Sequence, residues 1–314
     1  MSTIKERIIK SVKEVLPGTT KTCIWLVKIT VGVSLAIVFL KYLKILPWFS
    51  ELISPAFNLI GLPGEAALPY VSGYFVNVYA AISVAVGFNF DVRTITILSV
   101  MILCSHNMIT ETAVQKKTGS SATRIVLMRT ISAFILAYIL NKILPANTSS
   151  TLGSTNIEST QLLEMLKEWA KATILVIIKM TVLIYSLGIM QRLLSEFGII
   201  KWLSKFFRPF LHVFGLPAKT SFLWIVANTL GLAYGAAIMI EESSSGRLGK
   251  KDADLLNTHI CISHSNLEDL MLLSSIGGIW YIILLSRWAA SLFLVWELRL
   301  EYLIKERFMA PKKA

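Results

Sequence analysis

The chain carries one segment twice. Gly61-Leu62-Pro63 recurs as Gly215-Leu216-Pro217, Lys28-Ile29-Thr30-Val31 as Lys179-Met180-Thr181-Val182, and Ser105-His106 as Ser263-His264. Arg129 recurs as Arg287, and in both halves the arginine lies 23 residues beyond the histidine. Ordered matches of this kind mark an internal duplication. In a hydrophobic chain, a duplication points to the membrane folds built from two related halves with a site between them.

The chain is hydrophobic enough for that argument. Of its 314 residues 54% are hydrophobic and only 16% charged, against about 25% charged in soluble domains. The mean hydropathy is +0.65. A polytopic membrane protein follows, with its core in lipid. The net charge of +12 does not imply nucleic acid, because no basic patch on a soluble module accompanies it. Loops facing anionic lipid account for it. Cys23, Cys104 and Cys261 lie in or beside apolar segments, an odd count that argues against a disulfide framework. The N-terminus reads as a basic amphipathic stretch rather than a signal peptide.

Along the chain, residues 3–16 place Ile4, Ile8, Ile9, Val12 and Val15 on one helical face, with lysines and arginine around the rest. This pattern predicts an interfacial helix. Residues 156–170 repeat the theme. Spans are expected at about 23–40 and 172–190, followed by amphipathic connectors at 46–60 and 197–214. The segments that open with Gly-Leu-Pro, 61–90 and 215–240, are rich in Gly, Pro, Ser and Asn. In lipid, backbone groups freed by such residues need partners, so these segments are expected as broken helices or re-entrant hairpins. Further spans are expected at about 93–113, 123–144, 253–273 and 278–298. The expected fold is therefore all-α and polytopic, with about six full spans, two re-entrant or broken segments and two inverted repeats. The repeats cover 1–144 and 157–298, joined by a polar linker at 145–156 and followed by a charged tail at 299–314.

Counting Lys and Arg tests this topology. If the Gly-Leu-Pro segments turn back and the N-terminus is inside, the inner stretches hold 21 basic residues and the outer ones 6. That is a strong positive-inside bias. Full crossing by those segments would move Lys116, Lys117 and Arg124 outside. Three crossings per half invert the second repeat relative to the first. Both termini are then cytoplasmic, in a multi-pass protein of the inner membrane.

The densest polar signal sits inside the expected spans. One copy reads Cys104-Ser105-His106-Asn107-Met108-Ile109-Thr110-Glu111, the other Cys261-Ile262-Ser263-His264-Ser265-Asn266-Leu267-Glu268-Asp269. Glu111 matches Asp269. Ionisable groups in a span are costly and face a cavity or a partner. Two readings stand: the cluster lines a cavity, or it pairs with Arg129 and Arg287 to fix helix packing. A metal is a third possibility, with His106, His264, Cys104 and Cys261 as candidate ligands, although the spacing matches no established ligand pattern. Asn77 and Asn228 lie inside the Gly-Leu-Pro segments, where each can bind substrate or satisfy its own backbone. His212 and His259 have no repeat counterpart and read as structural. There is no GxSxG, Walker or GxGxxG motif. The chain is accordingly not expected to be an enzyme or to need a cofactor.

The segment GLPGEAALPYVSGYFVNVYAA resembles the Gate, or nucleoside-recognition, family of membrane domains. That family includes the membrane part of the bacterial ferrous-iron transporter, the spore maturation proteins A and B and, distantly, the concentrative nucleoside transporters. Of the iron transporter's Gly-x-x-Cys-Asn-Val-Pro-Ala pattern, Gly73, Asn77, Val78 and Ala80 match. Val76 stands at the cysteine and Tyr79 at the proline, and the GTPase domain that accompanies iron transport is not seen. The resemblance implies a small-solute transport role, with a nucleoside-like substrate as a lead.

Three functions follow as expectations. In the first, the protein transports a small polar solute between inverted repeats. Asn77, Ser105, His106, Asn107, Asn228, Ser263, His264 and Asn266 bind the solute. Glu111, Glu268 and Asp269, with Arg129 and Arg287, couple ions or pair. Proton coupling through histidine is compatible with this reading. In the second, it is a divalent-metal permease. In the third, it is a non-transporting partner of another Gate protein. Its partners are the solute and membrane lipid, with a homo-oligomer or a second Gate protein as a further option.

Overall fold

The computed structural model describes residues 3–88, 90–145 and 162–309. The linker expected at 145–156 lies almost wholly outside them, as does the end of the tail. The first half holds α1 (Ile4–Tyr42), α2 (Ile45–Asn58), α3 (Ala67–Phe75), α4 (Val78–Ala85), α5 (Val92–Ser105), α6 (Met108–Lys117) and α7 (Ala122–Ile143). The second holds α8 (Leu162–Glu196), α9 (Ile199–Phe207), α10 (Phe210–Val213), α11 (Ser221–Thr229), α12 (Leu232–Ser244), α13 (Lys250–Ser263), α14 (Asp269–Ser275) and α15 (Trp280–Met309). No β-strand occurs among the described residues.

Among the described residues, five helical stretches are long and apolar enough to cross a membrane. Six were expected. The missing one is 253–273, which is broken into α13 and α14 around His264. The span expected at 93–113 is also interrupted, at His106 and Asn107. A second difference lies at the start. The amphipathic stretch 3–16 and the span 23–40 form one continuous helix, α1, opened by a capping box between Thr3 and Glu6. Its 39 residues extend about 58 Å at 1.5 Å per residue, more than a bilayer core of about 30 Å. The basic first turns therefore continue the span into the interface. The outward faces of the spans are apolar, with Ile131, Ile135 and Tyr138 exposed on α7, Ile174, Ile178 and Val182 on α8, and Leu285 and Phe293 on α15. In water such surface would be a liability; against lipid it is the expected finish.

α1 and α8 carry the repeated Lys-x-Thr-Val segments and run antiparallel to each other. Arg7 pairs with Glu196 at 3.0 Å, Thr20 Oγ1 lies 2.7 Å from Tyr185 Oη, Cys23 Sγ lies 3.4 Å from Thr181 Oγ1, and Trp169 Nε1 donates to Ser34 Oγ at 3.0 Å. Gly188 lets the helices approach: a Cβ there would meet Thr19 Oγ1 at 2.9 Å. Both Gly-Leu-Pro segments are hairpins. A Cβ on Gly73 of α3 would lie 3.1 Å from Ala81 Cβ of α4, and one on Gly235 of α12 would lie 3.7 Å from Val226 Cγ1 of α11. The two hairpins root at opposite ends of the molecule. At one end Arg93 donates to Gly61 O (3.2 Å) and Asn141 O (2.9 Å), and Lys41 donates to Gly87 O (2.6 Å). At the other, Lys219 pairs with Asp252, Lys251 with Glu306, and Arg124 with Glu297. Between the ends, α5 is buried from Thr94 to Ser105.

Candidate functional site

The site begins with two hairpin tips. In the first, Asn77 is extended (φ −173°) and its side chain accepts from Ala80 N at 2.9 Å, capping α4. The amide thus satisfies one of the donors that a helix start leaves unpaired. In the second, Gly231 opens α12 at φ 80°, ψ 168°, a conformation almost confined to glycine. A Cβ there would also meet Ser265 Oγ at 3.1 Å.

Each tip docks on a helix break in its own half. α5 ends at Ser105, His106 is extended, and Asn107 is left-handed (φ 49°) before α6 begins. Asn107 N donates to Gly73 O of the hairpin at 2.9 Å. In the second half His264 is extended, Ser265 is left-handed (φ 54°), and its N donates to Ala227 O at 3.0 Å. The broken helices leave carbonyls unpaired in the protein interior, and two fully buried arginines take them up. Arg129 Nε donates to Cys104 O (2.8 Å) and Nη2 to His106 O (2.7 Å). Arg287 Nε donates to Ile262 O (2.7 Å) and Nη2 to His264 O (2.7 Å), with Nη1 on Asn266 Oδ1 (3.1 Å). In both halves the 23-residue spacing brings the arginine of the next span to the carbonyl of the repeated histidine. Helix C-termini carry partial negative charge, so a guanidinium is well placed there.

The two histidines meet where the breaks meet. Their rings lie 4.9 Å apart at 33°. Each Nδ1 faces a carbonyl one turn back, Ile102 O at 3.2 Å and Ile260 O at 2.7 Å. Each Nδ1 can donate to its carbonyl, which turns each Nε2 forward. Both Nε2 atoms point to one oxygen, Glu111 Oε1, at 3.1 Å each. Asp269 Oδ2 stands 3.5 Å from His106 Nε2. The carboxylates thus reach across the halves, Glu111 to His264 and Asp269 to His106. Glu111 Oε2 faces Arg129 Nη2 at 2.8 Å.

His106, Glu111 and Asp269 form one wall of a cavity of about 310 Å³, together with Asn77, Tyr79, Asn107, Thr110, Gly231, Ser265 and Glu268. Both tips and both breaks contribute to it. A larger cavity of about 500 Å³ lies between α1 and α8, lined by Glu14, Thr19, Thr22, Gln191 and Arg192. The two share Tyr79, Leu230 and Glu268. In that shared wall Tyr79 Oη donates to the Glu268 carboxylate, and Gln191 Nε2 donates to Glu268 Oε2 at 3.3 Å and Thr229 O at 3.0 Å.

Of the residues singled out in the sequence, Asn77, His106, Asn107, Glu111, Glu268 and Asp269 line the smaller cavity. His264 reaches it only through Glu111. The others sit behind. Asn228 donates to Trp224 O (2.8 Å) and accepts from Asn266 Nδ2 (2.5 Å). Ser105 donates to Met101 O (2.8 Å) and Ser263 to His259 O (2.8 Å). Cys104 and Cys261 are fully buried and stand outside the group of converging donor atoms, which is His106, Glu111 and His264. The candidate cysteine ligands lie outside this group, and it is the Cys104 carbonyl that accepts from Arg129. Sequence reasoning missed Gln191, Tyr79 and Gly231. Gln191 is a lone amide near the end of an apolar run. Tyr79 was noted only as a departure from a family proline.

No family model matches this sequence. Over 263 residues, 82% of this chain and 84% of the relative, it is 28% identical to the uncharacterized membrane protein YvoD of Bacillus subtilis (strain 168). Relative and fold agree on the class: the chain is a multi-pass, all-α membrane protein.

Proposed function

We propose that the protein transports a small polar solute, bound in the cavity where the two hairpin tips and the two helix breaks converge. The observation that carries this reading is the origin of the lining: equivalent elements of both halves supply it, from segments of discontinuous helix. Transporters built from inverted repeats bind substrate in that way, near the midplane, and alternate access by rocking one part against another. The antiparallel course of α1 and α8 supports the inversion. The volume, about 310 Å³, suits a solute of nucleoside size or smaller. Asn77, Asn107 and Thr110 offer neutral polar groups, and Glu268 with Tyr79 offers a charged one. The Gate resemblance makes nucleosides and nucleobases the first compounds to try. The clustering of Lys219, Lys251, Arg124 and the C-terminal helix at one end supports a cytoplasmic assignment for that end.

The test is uptake into liposomes reconstituted with the purified protein, from a panel of labelled nucleosides, nucleobases and amino acids. Glu268→Gln keeps the shape and one acceptor oxygen for Tyr79 or Gln191, but removes the carboxylate. A lost charge-assisted contact is worth about 1.5–3 kcal/mol, so uptake is expected to fall by roughly 10–100-fold while the protein melts as before. No uptake of any compound in the panel, or uptake untouched by Glu268→Gln, counts against the reading.

A further inference from the structure

We infer that His106, His264 and Glu111 form a binding site for one divalent first-row transition-metal ion, open to the cavity. This deepens the transport reading by naming an ion that shares the cavity with the solute, and it rests on that reading only for its role, not for its geometry.

Three electron-pair donors point at one place. His106 Nε2 and His264 Nε2 each stand 3.1 Å from Glu111 Oε1, and the donor atoms of the three residues all lie within 4.8 Å of one another. Bonds of about 2.0–2.2 Å to nitrogen and oxygen put neighbouring ligand atoms about 3.0–3.5 Å apart. Both histidine-to-Glu111 spacings, at 3.1 Å, already match that of a coordination shell. Their orientation is fixed from behind. Each imidazole is anchored through Nδ1–H on a backbone carbonyl, Ile102 O and Ile260 O, as metal-ligating histidines are. Glu111 is anchored through its second oxygen by Arg129 at 2.8 Å.

His264 and Glu111 are almost fully buried, so the rear of the site is shielded from bulk water. Arg129 meets Glu111 at its second oxygen, which leaves Oε1 facing the two histidines. Asp269, 3.5 Å from His106 Nε2, adds further negative charge. The donor set of two imidazoles and one carboxylate selects the class of ion. Calcium and magnesium prefer all-oxygen shells, and copper(I) prefers sulfur. His106 and Glu111 face the cavity while His264 closes the rear, so the ion enters from the cavity and keeps open positions toward it.

The experiment uses the full-length protein in detergent, stripped with a chelator. Cobalt(II) is titrated while its visible absorption is followed, and zinc(II) is titrated by calorimetry. One ion per chain is expected. His106→Ala and His264→Ala are expected to weaken binding by roughly 10–100-fold, the scale seen for losses at such sites, whereas Cys104→Ala with Cys261→Ala leaves it unchanged. Helical content and elution volume check folding, and His264→Gln, which keeps volume and polarity, stands in if the alanine variant does not fold. Absence of a cobalt spectrum, or binding indifferent to both histidine variants, overturns the site. Uptake arms keep the two readings apart. Solute uptake together with no cobalt or zinc binding in the titrations sinks the metal site and leaves transport standing. Stoichiometric, histidine-dependent metal binding without uptake of any solute keeps the site and sinks transport.

Discussion

At the scale of single residues, the two arginines illustrate how the same side chain does the same job with different consequences. Arg129 and Arg287 each hold two carbonyls of a broken helix, but only Arg129 also faces a carboxylate. Arg129→Met leaves Glu111 buried without its counter-charge as well as two carbonyls unmet. Removing one member of a buried pair costs about 3–5 kcal/mol, so this variant is expected to lose most of its folded population. Arg287→Met strands two carbonyls and the Asn266 amide, and is expected to cost less. Melting temperatures of the two variants in the same detergent give the comparison; equal losses would show that the carboxylate adds nothing. Gly231 offers a second case. Its backbone lies in a region that costs other residues about 1–3 kcal/mol, and Ser265 Oγ crowds the missing Cβ. Gly231→Ala is expected to destabilise the fold by that amount, read as a lower melting temperature, whereas the equivalent tip residue, Asn77, sits in ordinary extended backbone. The repeated His-to-Arg spacing was legible in the sequence, but its reason was not. Reading side chains suggests partners among side chains, while these arginines mainly serve main-chain oxygens.

At the scale of elements, legibility followed glycine and proline. The hairpins could be anticipated because each segment opens on Gly-Leu-Pro and is rich in Gly, Pro, Ser and Asn. The breaks in the 93–113 and 253–273 segments could not, because neither has a glycine or proline at the break. Asn107 and Ser265 take left-handed backbone there, and what permits it is tertiary: a docking bond to the hairpin and an arginine on the exposed carbonyls. The same holds for the amphipathic starts, which merge into α1 and α8 because no residue stops the helix between them. Pro17 lies inside α1 and does not end it. The converging histidines were singled out in the sequence one by one. That they share a carboxylate oxygen depends on the packing of one half against the other, which local pattern does not encode.

At the scale of the whole molecule, the basic stretches sort to one end. Orientation can be tested directly, because Cys23, Cys104 and Cys261 are free and buried and give little background to a thiol reagent. A membrane-impermeant maleimide is expected to label Glu241→Cys only from the cytoplasmic side and Glu51→Cys only from the opposite one. The reverse pattern would invert the topology, and labelling of both from one side would rule out hairpins rooted at opposite ends. The two hairpins also have an electrical consequence. Each enters from its own end and stops part-way, and the tips and breaks meet in one thin layer beside water-accessible space. In a membrane held at a voltage, the potential drops mainly across such a layer, not over the full bilayer. Moving one elementary charge through the whole drop is worth about 2.3 kcal/mol per 100 mV. Any charge that a transported solute carries across that layer would gain or lose about 2.3 kcal/mol per elementary charge per 100 mV over a short distance, so the membrane potential would act on the charge of the solute.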